Sequence, residues 1–296
     1  MKYGEVPLGQ VEAAINKLGG LDVWNAWLRG EKTVIVQDAI KVLFDKNGRR
    51  IPDGLSANVC DADRNFWLNQ PKLETEDDYA NRITRLHTSL GINTGITVIQ
   101  LREETERLLG LIRDNSQIAN IVKGVWLPVV LPQLTSDDLG TALEQYLEGV
   151  SRSYVETFND RTFYNYREGT LAGEVGIVDG SRHDQLIERM KQGPVIGLHF
   201  PNPLRGFSIY AQREQMSTLP EEFILSGLDT VIAMMMYLDV LARDWHTPGS
   251  DLAAVSWQAA DDSLCFGAGD DLLSFGGRVY LAFARGCSSG GLLFLG

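Results

Sequence analysis

Between Leu264 and Leu295 the large apolar residues keep a two-residue beat. Leu264, Phe266 and Ala268 alternate with Cys265, Gly267 and Gly269. Leu273 and Phe275 bracket Ser274, and Leu281 and Phe283 bracket Ala282, with Arg285 next on the same face. Side chains two apart on a strand share a face. One face of this closing region is therefore an apolar series that must be covered. The other carries small, acidic and polar side chains. Such a pattern demands a half-buried sheet built from the end of the chain.

The same stretch is restricted in a second way. Lys, Glu, Gln, Met and Trp occupy 49 of the first 258 positions and none of the last 38. Every residue type after Gln258 (Ala, Asp, Ser, Leu, Cys, Phe, Gly, Arg, Val and Tyr) can be encoded with a pyrimidine in the third codon position. The five missing types all require a purine there. Randomising the first two bases of AAC or AAT codons yields this census.

The rest of the chain is an ordinary acidic globular sequence. The whole chain's 296 residues are long for one domain and comfortable for two. A net charge of −12 argues against nucleic-acid backbones and anionic membrane surfaces as partners. The longest apolar run, Thr230 to Leu238, is far short of a bilayer span. The opening MKYGEVPLGQ lacks an apolar core, so no secretory signal peptide is expected and synthesis is expected in the cytosol, with export by another route left open. Cys60, Cys265 and Cys287 are too few for a disulfide framework and form no CxxC pair.

The pattern predicts two modules, a mixed helical and hairpin module over 1–115 and a larger domain over 116–296. In the first, helices are expected over Val11–Leu18 and Leu21–Leu28, parted by Gly19-Gly20. Thr33–Gln37 and Ile40–Phe44 read as β-prone, with Asp45–Gly48 turning a hairpin into Arg49–Ile51. Thr75 with Asp78 makes a capping box for a helix buried through Tyr79, Ile83, Leu86 and Leu90. A second amphipathic helix over Val98–Ile112 turns Leu101, Leu108 and Leu111 inward.

In the second module, Val125–Leu131 reads as an edge or broken strand because Pro128 has no N–H to donate. Thr135 or Ser136 caps a helix with the stripe Leu139, Leu143, Leu147, Val150 and Tyr154. Ser181–Asp184 caps a shorter helix through Leu186, Ile187 and Met190, and Val195–Phe200 follows as a strand. Leu225–Leu241 fits either a helix or a buried strand.

Catalytic and metal signatures are missing. There is neither GxxxxGK[ST] nor GxGxxG, and no HExxH pair among His87, His183, His199 and His246. A fold could gather the last three histidines, but ordinary polar or capping roles outweigh a metal or catalytic site. Asp261-Asp262 and Asp270-Asp271 lack the spaced ligands of a calcium loop, so solvated turns are favoured. Cys265 and Cys287 are more readily explained as two separate thiols than as a pair. Met234–Met236 reads as core packing. No catalytic residue, cofactor or metal is assigned.

The ending SWQAADDSLCFGAGDDLLSFGG…SSGGLLFLG resembles the carboxyl-terminal variable region of variable proteins from diversity-generating retroelements. The segments PVIGLHFPNPLRGFSIYAQREQMSTLP (194–220) and YLDVLARDWHTPGSDLAAVSWQ (237–258) are similar to the archaeal and candidate-phylum, AvpA-like subclass. The resemblance is good over Gly193–Gly296, extends weakly to about Val125 and says little about 1–115.

The resemblance implies an α+β chain whose 116–296 domain has a C-type lectin fold, with a variable region at about 257–287. By the same resemblance, an error-prone reverse transcriptase would rewrite that region, and the protein would be a ligand-binding scaffold and not an enzyme. Its expected partner is a macromolecule, with a protein the favoured class. The displayed positions would be Ala260, Asp261, Asp262, Cys265, Gly267, Gly269, Asp271, Leu272, Ser274, Arg278, Val279, Tyr280, Ala282, Ala284, Gly286 and Cys287. Leu264, Phe266, Leu273, Phe275, Leu281, Phe283 and Leu292–Leu295 would be the invariant core. Two alternatives remain open: an enzyme similar to formylglycine-generating enzymes, needing Cys265 and Cys287 close together, and a calcium-dependent carbohydrate lectin using the paired aspartates.

Overall fold

A computed structural model describes residues 7–34, 40–278 and 280–296. By their contacts they divide into two compact units, Met1–Lys41 and Val42–Gly296. In the first, α1 (Leu8–Lys17) and α2 (Leu21–Leu28) are the two short helices the Gly19-Gly20 breaker predicts. The indoles of Trp24 and Trp27 pack with centroids 4.9 Å apart. The break expected near residue 115 is not where the contacts divide. Residues 42–115 belong to the larger unit.

That unit is mixed α and β. The expected hairpin is reduced to the Asp45–Gly48 turn and one bridge, Phe44 with Arg50, and residues 35–37 of the β-prone Thr33–Gln37 lie outside the described residues. Next come α3 (Glu76–Leu90) and α4 (Val98–Asp114), each opened by a capping box, Thr75 with Asp78 and Thr97 with Gln100. Leu101, Leu108, Leu109 and Ile112 form the buried stripe of α4, so the expected inward Leu111 is instead 45% exposed. The strand β1 (Leu127–Leu131) follows, then α5 (Leu139–Thr157), whose first-turn amide of Thr141 is capped by Asp138.

The remaining elements are β2 (Thr162–Asn165), β3 (Val175–Ile177), α6 (His183–Gln192), β4 (Val195–Arg205), α7 (Ile209–Gln215) and β5 (Phe223–Leu225). They are followed by α8 (Leu228–Met236), α9 (Leu238–Leu241), β6 (Gly249–Leu252), β7 (Val255–Trp257), β8 (Ser263–Ala268), β9 (Leu272–Arg278) and β10 (Ser288–Phe294). The ambiguous run at 225–241 is therefore mostly helical. Every residue of α8, including all three methionines, is buried, which removes any amphipathic signature.

One large mixed sheet runs β1-β4-β10-β6-β8-β9-β2, with β5 also pairing to β10, and β3 pairs with β7 apart from it. Pro128 lies on β1 at the sheet's edge, where a missing donor is tolerated. The closing strand β10 is central: it pairs antiparallel with β4 and β5 and parallel with β6. Gly290 and Gly291 sit at a register shift in it. A Cβ on Gly290 would stand 2.0 Å from the Gln212 amide oxygen, and one on Gly291 would stand 2.8 Å from both His199 and Ser226. Side chains packed on both faces of the strand require glycine there.

Under the sheet lies a buried polar group. Asp229 accepts from His199 Nδ1 at 2.8 Å, Ser226 Oγ at 2.7 Å and the Gly227 amide at 2.7 Å. His183 Nε2 accepts from the Leu228 amide at 3.1 Å while Nδ1 meets the Leu225 carbonyl at 3.2 Å. All these side chains are buried. His246, which the sequence left open as a third member, instead places Nδ1 2.7 Å from the Asn65 carbonyl at the surface.

Candidate ligand-binding face

The β8–β9 hairpin sorts the restricted stretch into two faces. Its register sets Cys265 opposite Gly276, Phe266 opposite Phe275 and Gly267 opposite Ser274. Leu264, Phe266, Leu273 and Phe275 turn into the core, with the two phenylalanine rings 4.8 Å apart. Cys265, Gly267, Leu272, Ser274 and Arg278 take the opposite face.

That outer face changes character across the sheet. On the β6 side, Asp251 lies opposite Cys265 and is buried. Arg278 Nε stands 3.4 Å from its Oδ1, and Gln212 of α7 donates to its Oδ2 at 3.0 Å. Burial pushes the Asp251 carboxyl above its ordinary range, while Arg278, the Gln212 bond and Arg285 pull it back. Burial also pushes the Cys265 thiol up to about 11, the opposite of a reactive thiolate. On the β9–β2 side the face is open. There Tyr164 and Tyr166 are 49% and 68% exposed, with near-parallel rings 6.3 Å apart.

Beyond β9 the chain leaves the sheet and makes turns before β10. Tyr280 has φ +61° and is 79% exposed, and Phe283 is 63% exposed. Phe283 thus does not belong to the core. The two-residue alternation holds only while the backbone is a strand, and only Leu281 of this pair is buried.

With Asn58, Tyr210, Asp261 and Arg285, these aromatics line an open concavity of about 700 Å³. Tyr210 donates its hydroxyl to Asp261 Oδ1 at 2.9 Å, which raises the phenol's pKa. Asn58 Nδ2 donates to the Ala282 carbonyl at 2.9 Å, and Arg213 donates to the Ala260 carbonyl at 2.9 Å. The loop edges are therefore fixed by residues outside the restricted stretch.

Of the sixteen positions expected to be displayed, Val279 lies outside the described residues. Ala260, Asp261, Asp271, Tyr280 and Ala282 are exposed. Asp262, Cys265, Gly267, Gly269, Leu272, Ser274, Arg278, Ala284, Gly286 and Cys287 are half-buried. Of these, Cys265, Gly267, Leu272, Ser274 and Arg278 lie on the outer sheet face, and Asp261, Tyr280 and Ala282 line the concavity. Gly286 has no room for display: a Cβ there would stand 2.6 Å from the Asp61 carbonyl oxygen and 2.8 Å from the Asp63 amide.

The two aspartate pairs flank the six-residue β8, so they stand about 20 Å apart and cannot share one ion. Among the described residues no three His, Cys, Asp or Glu side chains gather as a metal site, and Cys265 and Cys287 are free thiols. Sequence reasoning missed Tyr164, Tyr166, Tyr210 and Asn58. Only the alternation Phe163-Tyr164-Asn165-Tyr166 offered a local signal for any of them. No protein-family model, curated protein or solved structure matches this chain.

Proposed function

We propose that this protein is a hypervariable ligand-binding protein, diversified by a retroelement at its carboxyl end on a C-type lectin scaffold, and that it is not an enzyme. One observation carries the reading. Each described position assigned to display is exposed or half-buried, while Leu264, Phe266, Leu273, Phe275, Leu281 and Leu292–Leu295 are buried. Rewriting is tolerable only where packing does not decide the fold. The restricted stretch supplies both the buried residues that close the fold and the positions assigned to rewriting, and of the latter all described ones but Gly286 and Arg278 meet that condition.

The ligand class is a protein. Tyr280, Phe283 and Tyr210 offer large aromatic surface beside Arg285, and aromatic and Arg side chains dominate protein hot spots. The test is a display library with pyrimidine-ended codons at Ala260, Asp261, Gly267, Ser274, Tyr280 and Ala282, set against an equal library at Leu264, Phe266, Leu273 and Phe275. The first is expected to keep most members folded and to yield binders to protein targets. Equal loss of folded members in both libraries would contradict the proposal.

A further inference from the structure

A second concavity, of about 730 Å³, lies wholly outside the restricted stretch. Four cations line it: Arg49, Arg64, Lys123 and Arg205. Among the described residues none of the four has a carboxylate within ion-pair distance. Arg49 donates through Nε to the Arg205 carbonyl at 2.8 Å and through Nη2 to the Cys60 carbonyl at 2.6 Å. Arg205 donates through Nε to the Gly286 carbonyl at 3.3 Å and through Nη2 to the Asp63 carbonyl.

Two part-buried guanidiniums are thus anchored only by neutral oxygens and repel one another. Burial, opposed by the charge of Asp63 and joined by that of Arg49, lowers the pKa of Arg205. The wall carries two carboxylates, Asp45 and Asp61. Asp45 Oδ1 already accepts from the Asn47 and Arg49 amides. The cleft is therefore net positive in a chain whose net charge is −12. An unpaired, partly desolvated cation gains from a counter-charge more than a solvated one does.

The geometry points to a binding site for a small phosphorylated polyol of the sugar-phosphate class. Arg49, Arg205, Arg64 and Lys123 would meet the phosphate, because a planar guanidinium matches oxyanion geometry. Asn47, Asn69 and Asn202, whose side-chain amides have no hydrogen-bond partner among the described residues, would meet the hydroxyls. Asp61 suits a hydroxyl donor and opposes a longer polyanion. The lining of this site lies outside the restricted stretch, which meets it through the backbone carbonyl of Gly286, so one scaffold would carry one fixed and one changeable specificity.

The test is calorimetric titration and thermal shift of the full chain with D-glucose 6-phosphate, inorganic phosphate, D-glucose and sodium chloride at matched ionic strength. Glucose 6-phosphate is expected to bind tightest and, at saturation, to raise the melting temperature by several degrees. Phosphate is expected to bind more weakly, and glucose and chloride to leave the melting temperature unchanged.

The exposed pair Arg64→Ala/Lys123→Ala, which removes no hydrogen bond described above, is expected to keep the unliganded melting temperature and weaken binding at least about tenfold. Tyr280→Ser/Phe283→Ser is expected to leave it unchanged, which separates this site from the display face. Absence of a shift, an equal shift with chloride, equal binding of phosphate and glucose 6-phosphate, or undiminished binding by the Arg64/Lys123 variant would each overturn the inference.

Discussion

Arg278, inside the compositionally restricted stretch, holds its Nε 3.4 Å from the carboxylate of Asp251, which is outside it and buried. A position assigned to rewriting thus neutralises a fixed internal charge. Burial sets the folded pKa of Asp251 above its ordinary value. The folded chain therefore holds that proton more tightly than the unfolded chain. Stability from this group is present at low pH and lost as pH rises through the folded value. Arg278→Ala removes the main opposing charge and deepens the loss at neutral pH. We expect about 3 kcal/mol of destabilisation at pH 7, shrinking towards pH 5, with Asp251→Asn in the same chain restoring most of it. Denaturant melts at the two pH values measure this directly.

Tyr280 and Phe283 should separate stability from binding. Tyr280 is a non-glycine residue at φ +61° with most of its surface in water. Tyr280→Gly relieves the backbone while adding unfolded-state freedom, so the melting temperature should move by no more than about two degrees. Phe283→Ser should be similarly neutral. Phe275→Ala, which empties core space beside Phe266, should remove about 3–5 kcal/mol. Thermal melts of the three variants provide the comparison.

Acid sensitivity should trace to His183. Burial lowers its pKa, outweighing the charge of Asp229 and the Leu225 carbonyl, and its Nε2 accepts from the Leu228 amide. The folded chain keeps this imidazole neutral, while the unfolded chain protonates it below about pH 6.5. Its contribution is therefore present above that pH and falls below it, by up to about 1.4 kcal/mol per pH unit. Asp229, held below the carboxylate range by His199 and its hydrogen bonds despite burial, adds a loss only at still lower pH. His183→Gln should flatten the fall in melting temperature between pH 7 and pH 5.

Arg182 ties a loop from inside. Its guanidinium donates to the carbonyls of Pro220, Phe223, Met216 and Leu219 at 2.6–3.0 Å. Arg182→Ala should cost about 3 kcal/mol by stranding these acceptors. Arg182→Lys should not recover it, since one ammonium cannot reproduce the planar fork. Urea titrations of both variants test the expectation.

What the sequence reveals follows the range of the forces involved. The Thr75–Asp78 capping box, the helix break at Gly19-Gly20 and the edge position of Pro128 are readable because each depends on a few neighbouring residues. The alternation of β8 and β9 is readable because one face is core and the other is not. The same reasoning misplaces Phe283, since it extends strand periodicity into turns, and Gly286, whose constraint comes from the distant backbone at Asp61 and Asp63. The helix α8 is ambiguous because it is buried on every side. The cationic cleft leaves no local trace: Arg49 and Arg205 meet across 156 residues of chain.

The most direct measurement is the sequence of the DNA that follows the coding region. Diversification by a retroelement requires a near-copy of the segment encoding residues from about 257 to 287 there, differing from the gene only where the copy carries adenine, beside a reverse-transcriptase gene. Those adenines should fall in the codons of positions such as Ala260, Gly267, Ser274 and Tyr280 and spare those of Leu264, Phe266, Leu273 and Phe275. A locus with neither the copy nor the polymerase gene would contradict the proposal.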